Sequence, residues 1–492
     1  MKKMNLLVMS LVSAAALSFT SCSSNDDLAG NAGQEKADGF YMTLTVQSPK
    51  SDGTRTAVSN PENATAEEAA IKTGTFYLVD KDNKIVFSKK LEELTWSGEV
   101  KDDASKKQDG NHTFEIKIPT VVADQTYHVY FLAGSNKPAP EMDFTATNKN
   151  VFTATSKFAV PFANDNNFAM FNQNDAEVNG NGYTVTFKKA NNNKQNPAKV
   201  KYTKGGTSTT TITNAPIKVE RVVARIDAPN PGTSTVLADA PADASDALKV
   251  AMKDAKEKVK EIKLINYAVS NLANKSYVMQ TWTSSAALSI PDGISYYQPT
   301  ADFGGVYDYK NGGFTTTEAT KVNYVFENNS TTAPTTMYFE YQIKLDDSKF
   351  TGPADFTDGT FYRYNNVIYT SFDQIFEDYK DVTDLFKGKD KVAMKTELTN
   401  DINNETELAK FRELYNIEVF KGGKTYYKHV IKDNHINGII QRNSIYRLNI
   451  NNIFNVGAQV PNGKPTENDF YYLNVTVTVN PWVLNKEDVN LQ

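Results

Sequence analysis

Between Tyr471 and Asn480 the chain alternates without a break. Tyr471, Leu473, Val475, Val477 and Val479 fall on one side of a period-2 ribbon, and Tyr472, Asn474, Thr476, Thr478 and Asn480 on the other. Only an extended strand sends successive side chains to opposite faces, so this segment reads as a β-strand with one face in a core. Pro481 closes the run, because it brings no N–H to a ladder.

The same grammar recurs along the chain. Residues 39–47, "GFYMTLTVQ", place Phe40, Met42, Leu44 and Val46 on one face and Tyr41, Thr43, Thr45 and Gln47 on the other. Short alternating runs at 74–80, 83–88, 112–119, 126–134 and 182–189 are punctuated by Gly, Pro, Asn and Asp. Residues 189–215 are polar and read as a long loop beside a domain boundary, after which "IKVERVVARIDA" (217–228) opens a second domain as one strand. Further strands are expected in "EIKLINYAVS", "KSYVMQTW", "TTMYFEYQIKL", "KTYYKHVIK" and "NSIYRLNINNI".

Three helices are expected. The longest places Leu248, Met252, Ala255, Val259 and Ile262 on one face, with Ser245 or Asp246 as its cap. Residues 371–379 and 406–415 supply the other two. The fold class is therefore mainly β: two sandwich domains, 56–215 and 216–492, with a few peripheral helices.

The first residues carry an export signal. Two lysines precede an apolar run from Leu6 to Phe19, then small residues lead to Cys22, the layout of a secretory signal over 1–21. Cys22 is the only cysteine of the chain, so it has no internal disulfide partner. Its place after Phe-Thr-Ser resembles the lipobox of bacterial lipoproteins, where the thiol takes a diacylglycerol and several acyl chains together make a stable membrane anchor. Residues 22–38 are small and polar, a flexible tether.

Sequence chemistry argues against several function classes. A net charge of −5 and the lack of a basic stripe speak against a nucleic-acid partner. No G-x-S-x-G, H-E-x-x-H, P-loop or G-x-G-x-x-G appears. His112, His128, His429 and His435 include no i, i+4 pair, and "DKDNK" (80–84) has Ile85 where a calcium loop needs glycine, so it reads as a hairpin turn. No catalytic residue, metal or cofactor is expected.

Several stretches together resemble the Bacteroidales fimbrillins, lipoprotein precursors of type V pili. They are "YMTLTV…GTRTA" (41–57), "VERVVARI" (219–226), "EIKLINYAVSNLANKSYVMQ" (261–280), 423–453 and "VTVNPWVLNKEDVNL" (477–491). Within that family the chain looks nearest the shaft subunits of the short (minor) fimbriae known from Porphyromonas. The resemblance implies transthyretin-like β-sandwiches and a fixed maturation. The precursor is lipidated on Cys22, reaches the outer membrane, and is cut by an arginine-specific protease after Arg55, so that Thr56 becomes the new start. The strand in 39–55 then leaves, and its groove accepts the C-terminal strand of another copy. Lys50 offers a second basic site nearby. Two C-terminal segments are candidates for exchange: 471–479, and 484–492 with Leu484, Val489 and Leu491, the latter favoured. Partners implied are other copies in a head-to-tail polymer, accessory tip and anchor subunits, and the protease; the location implied is a cell-surface fimbrium. A tip or anchor subunit rather than a shaft subunit, a surface glycan-binding lipoprotein and a secreted hydrolase are the competing functions.

Overall fold

A computed structural model describes residues 39–48, 68, 71–90, 111–119, 121–134, 141–146, 150–154, 162–163, 167–174, 182–204, 210–284, 287–297, 301–302, 306–307, 323–431, 439–461 and 473–481. The principal strands are β1 (Phe40–Gln47), β2 (Gly74–Val79), β3 (Ile85–Lys90), β4 (Asn111–Ile118), β5 (Thr126–Ala133), β6 (Met170–Asn172), β7 (Tyr183–Thr186), β8 (Ala198–Lys199), β9 (Ile217–Arg221), β10 (Ala224–Asp227), β11 (Val259–Ser270), β12 (Asn323–Val325), β13 (Thr336–Leu345), β14 (Lys424–Val430), β15 (Ser444–Ile453) and β16 (Leu473–Pro481). Four α-helices accompany them: α1 (Asp246–Lys258), α2 (Phe372–Asp378), α3 (Lys391–Asp401) and α4 (Glu405–Tyr415). The protein is mainly β.

In the first half, β5 pairs with β2 along one edge and with β7 and β6 along the other. β9 pairs antiparallel with β6 and parallel with β1, and β1 pairs antiparallel with β4. The inward faces of these strands share one apolar cluster containing Phe40, Phe76, Phe131, Phe171 and Ile217. Between β2 and β3 the "DKDNK" segment is a hairpin turn, as expected. Asp80 accepts from the backbone N–H groups of Asp82 and Lys84 (2.9 Å each), and Asn83 adopts φ +59°.

In the second half two four-stranded sheets face each other. One runs β12-β10-β15-β16, the other Ser234–Thr235, β11, β13, β14. Ile226, Leu448 and Val475 from the first meet Ile262, Phe339 and Tyr341 from the second in a common cluster, which is sandwich packing. Residues 346–423 are inserted between the paired strands β13 and β14 and have a core of their own, including Phe372, Leu398, Phe411 and Tyr415.

Four expectations need correction. The strand expected over 217–228 is broken at Val222 and Val223, both fully buried. β9 before the break pairs with β1, and β10 after it pairs with β15, so this one segment joins both sheet systems. Residues 189–215 are not a continuous loop. They hold a short 3-10 turn (Lys189–Asn191), β8, and the strands Lys201–Lys204 and Thr210–Thr213, the last two forming an exposed antiparallel pair. Threonine and tyrosine there supply strand propensity, but one large apolar residue per strand, Tyr202 or Ile212, is too few to reveal an apolar face. The long helix stops at Lys258, with Ser245 accepting from the Leu248 N–H as its cap, so Val259 and Ile262 lie on β11 instead. Their β-branched side chains fit a pleated, half-buried surface better than a last helical turn. Finally, α3 was not expected. It buries only Met394 and Leu398, too few residues to leave a clear stripe, and it starts on Asp390, which accepts from the Ala393 N–H.

A candidate assembly groove around the first strand

β1 lies inside its sheet with a partner on each edge, and its surroundings follow from its alternation. Phe40, Met42, Leu44 and Val46 are all 0% exposed, while Tyr41, Thr43 and Thr45 stay half-buried on the other face. The whole strand pairs with β4, from Phe40 opposite Ile118 to Gln47 opposite Asn111. On the other edge it pairs in parallel with β8 (Met42 opposite Ala198) and β9 (Val46 opposite Ile217). Phe40 packs its ring 5.4 Å from that of Phe187, which also meets Tyr127. Gly39 enters the strand at φ +132°, where an added Cβ would sit 3.1 Å from the Lys117 side chain and 3.2 Å from the Ile118 carbonyl oxygen.

Taking β1 away would leave a slot with β4 on one wall and β8 and β9 on the other. The slot would expose ladder N–H and C=O groups on both walls and four apolar sites in its floor. Each fault is costly in water, and an added strand repairs both at once. Burial of the four side chains is worth on the order of 6–12 kcal/mol as an upper bound, at about 1.5–3 each.

Beyond β1, Glu68 is fixed against the body. Its carboxylate takes hydrogen bonds from Arg225 Nη1 (2.8 Å) and the Tyr324 hydroxyl (3.3 Å), and its backbone carbonyl takes one from Arg221 Nε (2.8 Å). Arg225 also grips Asp227, at 2.6 and 3.0 Å. Burial pushes the Arg221 guanidinium down to about 10, against the pull of the Glu68 charge. For Arg225 burial works downward too, but Asp227 and Glu68 outweigh it and the pKa rises. Sequence reasoning missed this cluster, since nothing in the spacing of Glu68, Arg221 and Arg225 shows that they meet.

Of the expected site residues, the structure places Phe40, Met42, Leu44 and Val46 side by side in one core. Cys22, Lys50, Arg55, Thr56, Leu484, Val489, Leu491 and His435 lie outside the described residues. β16 pairs within its own chain, with β15, from Ser444 opposite Pro481 to Ile453 opposite Leu473, and its Leu473 and Val475 are buried. Among the described residues no group of three His, Cys, Asp or Glu could hold a metal ion, and no helix is long and apolar enough to cross a membrane.

Residues 418–488 match the fimbrillin C-terminal family, described as major fimbrial subunit protein type IV. The fimbrillin match covers β14, β15 and β16 and points to a structural protein of the cell-surface fimbrium rather than an enzyme. No curated protein matches the chain. Among solved structures it is similar to a candidate cell adhesion protein of Parabacteroides distasonis, at 14% identity and a TM-score of 0.44, covering 91% of this chain and 99% of that one. It is similar also to a fimbrial assembly protein of the same organism, at 15% identity and a TM-score of 0.25, over 64% and 83% of the two chains. A third is the fimbrial anchor protein Mfa2 of Porphyromonas gingivalis, at 11% identity and a TM-score of 0.22, over 62% and 77%. Likeness at this level carries no weight for function.

Proposed function

We propose that the chain is a structural subunit of a cell-surface fimbrium, made as a lipoprotein precursor on Cys22 and assembled by strand exchange. A protease that recognises arginine cuts after Arg55, the mature subunit begins at Thr56, and β1 leaves its slot. A C-terminal segment of the next subunit, carrying Leu484, Val489 and Leu491, takes its place. The role is that of a shaft subunit, of the kind found in short fimbriae, because such a chain both accepts and donates a strand. Tip and anchor subunits would complete the filament. In this scheme 56–215 forms the accepting domain and 216–492 the donating one. A head-to-tail contact of this sort repeats without closing, so it builds a fibre.

One observation carries the proposal. β1 is a strand with a fully buried apolar face and a partner on each edge, yet an arginine-bearing polar stretch follows it within ten residues. Brief trypsin treatment of residues 39–492, followed by an unboiled gel, tests it. A ladder of polymers should appear only after cleavage at Arg55, and should vanish when residues 484–492 are removed. A cleaved chain that stays monomeric refutes the shaft role.

A further inference from the structure

The insertion between β13 and β14 reaches back to the root of the C-terminal arm. Arg363, on the strand Phe361–Tyr364 of the insertion, is 5% exposed. It binds Glu418 (Nη2 to Oε1, 2.7 Å) and donates to the carbonyls of Val456 (2.7 Å) and Gly457 (3.2 Å). Its guanidinium carbon lies 5.3 Å from the centre of the Phe420 ring. The Val419 N–H donates to Gln459 Oε1 (2.7 Å), and the Tyr427 hydroxyl donates to the Asn455 carbonyl (2.6 Å). Tyr426 and Ala458 exchange two backbone hydrogen bonds, at 2.9 and 2.8 Å. Every residue from Asn455 to Ala458 is buried. Five consecutive residues, 455–459, are therefore held by side chains or by a backbone bridge.

We propose that Arg363 is a positioning residue for assembly: it clamps 455–459, the lead-in to β16, to the subunit that made them, so that β16 keeps its place on β15 and only the chain beyond it is handed to a neighbour. This rests on the strand-exchange reading above. The physical reason is entropic. An arm that swings from a fixed root searches a smaller volume and meets the next groove at a higher effective concentration than one that peels back into its own sandwich. Arginine suits the task because its planar fork serves a carboxylate and two carbonyls together, which lysine cannot do.

The test locks the clamp. Tyr426 and Ala458 form a hydrogen-bonded antiparallel pair, whose Cα atoms stand about 5.5 Å apart, inside the range a disulfide needs. The full chain carrying Cys22→Ser, Tyr426→Cys and Ala458→Cys is cleaved with trypsin, oxidised or reduced. Polymer yield should be the same in both states; polymer only in the reduced state overturns the inference, because the clamp must then open. Failure in both states refutes strand exchange itself if the Cys22→Ser parent also fails, and refutes the clamp if the parent assembles. Arg363→Met should speed amide exchange over 455–459 by about tenfold or more while β13 is unchanged, and should lower polymer yield several-fold. The 426–458 disulfide should restore that yield, a rescue that a purely structural arginine would not show. If Arg363→Met does not fold, Arg363→Lys, which keeps the charge without the fork, serves in the same comparison. Unaltered yield in a folded variant, or no rescue, sinks the proposal.

Discussion

Glu68 lies 2.8 Å from Arg225, although 157 positions separate them in the chain. The pair sits downstream of the proposed cut after Arg55 and at the foot of β10, which joins the second sheet system. It therefore ties the start of the proposed mature chain to the junction of the two halves. Glu68→Ala should lower unfolding stability by about 1.5–3 kcal/mol, the usual worth of hydrogen bonds to a charged group. Urea unfolding checks the size of the loss. Glu68→Gln should recover part of it, because the amide can still accept from Arg225 and Tyr324.

Leu44 separates precursor from product. It is fully buried in β1, so Leu44→Ala should cost the uncleaved chain about 2–5 kcal/mol. If β1 has left, as proposed, the same substitution should leave the thermal stability of the assembled polymer unchanged. Calorimetry of both forms decides. A polymer destabilised as much as the precursor would mean that β1 stays in place.

The aromatic cores make an alkaline prediction. Tyr341 and Tyr427 meet edge to face with ring centres 5.4 Å apart. Burial raises the pKa of each above its ordinary value of 10.0. The folded protein thus keeps these protons where the unfolded chain loses them. Their contribution to stability is complete below pH 10 and fades as the pH climbs through the raised folded values. The part of the tyrosinate absorbance that comes from these buried rings should therefore appear together with loss of the β signal in circular dichroism, as one cooperative step. Smooth ionisation of all tyrosines in a still-folded protein would contradict this.

The legible parts of the chain were those where one strand carries its own evidence. β1, β2, β5, β13 and β15 alternate strongly enough to be read directly, and the inward set of β1 came out residue by residue. β8 was not legible because it is two residues long and its partner β1 is far away, and the threonine-rich pair after it was not because each strand holds a single large apolar residue, Tyr202 or Ile212. The break at Val222 and Val223 was hidden for the opposite reason: two buried valines in a row look like a continuing strand. The Glu68 cluster and the Arg363 clamp depend on contacts across 157 and 93 positions, which no local pattern encodes.

Gly457 gives the clamp its closest approach. A Cβ at this position would stand 2.3 Å from the Tyr426 carbonyl oxygen and 2.8 Å from the Tyr427 ring. Backbone cannot yield as a flexible side chain can, so Gly457→Ala should force 455–459 away from β14. The cost should be about 1–3 kcal/mol, as for other overpacked sites. Because Arg363 reaches the Val456 and Gly457 carbonyls, the shift also stretches its hydrogen bonds, and Gly457→Ala combined with Arg363→Met should cost less than the sum of the two. Chemical unfolding of the two single variants and the double variant measures this. Strict additivity would show that glycine and arginine act on the arm independently.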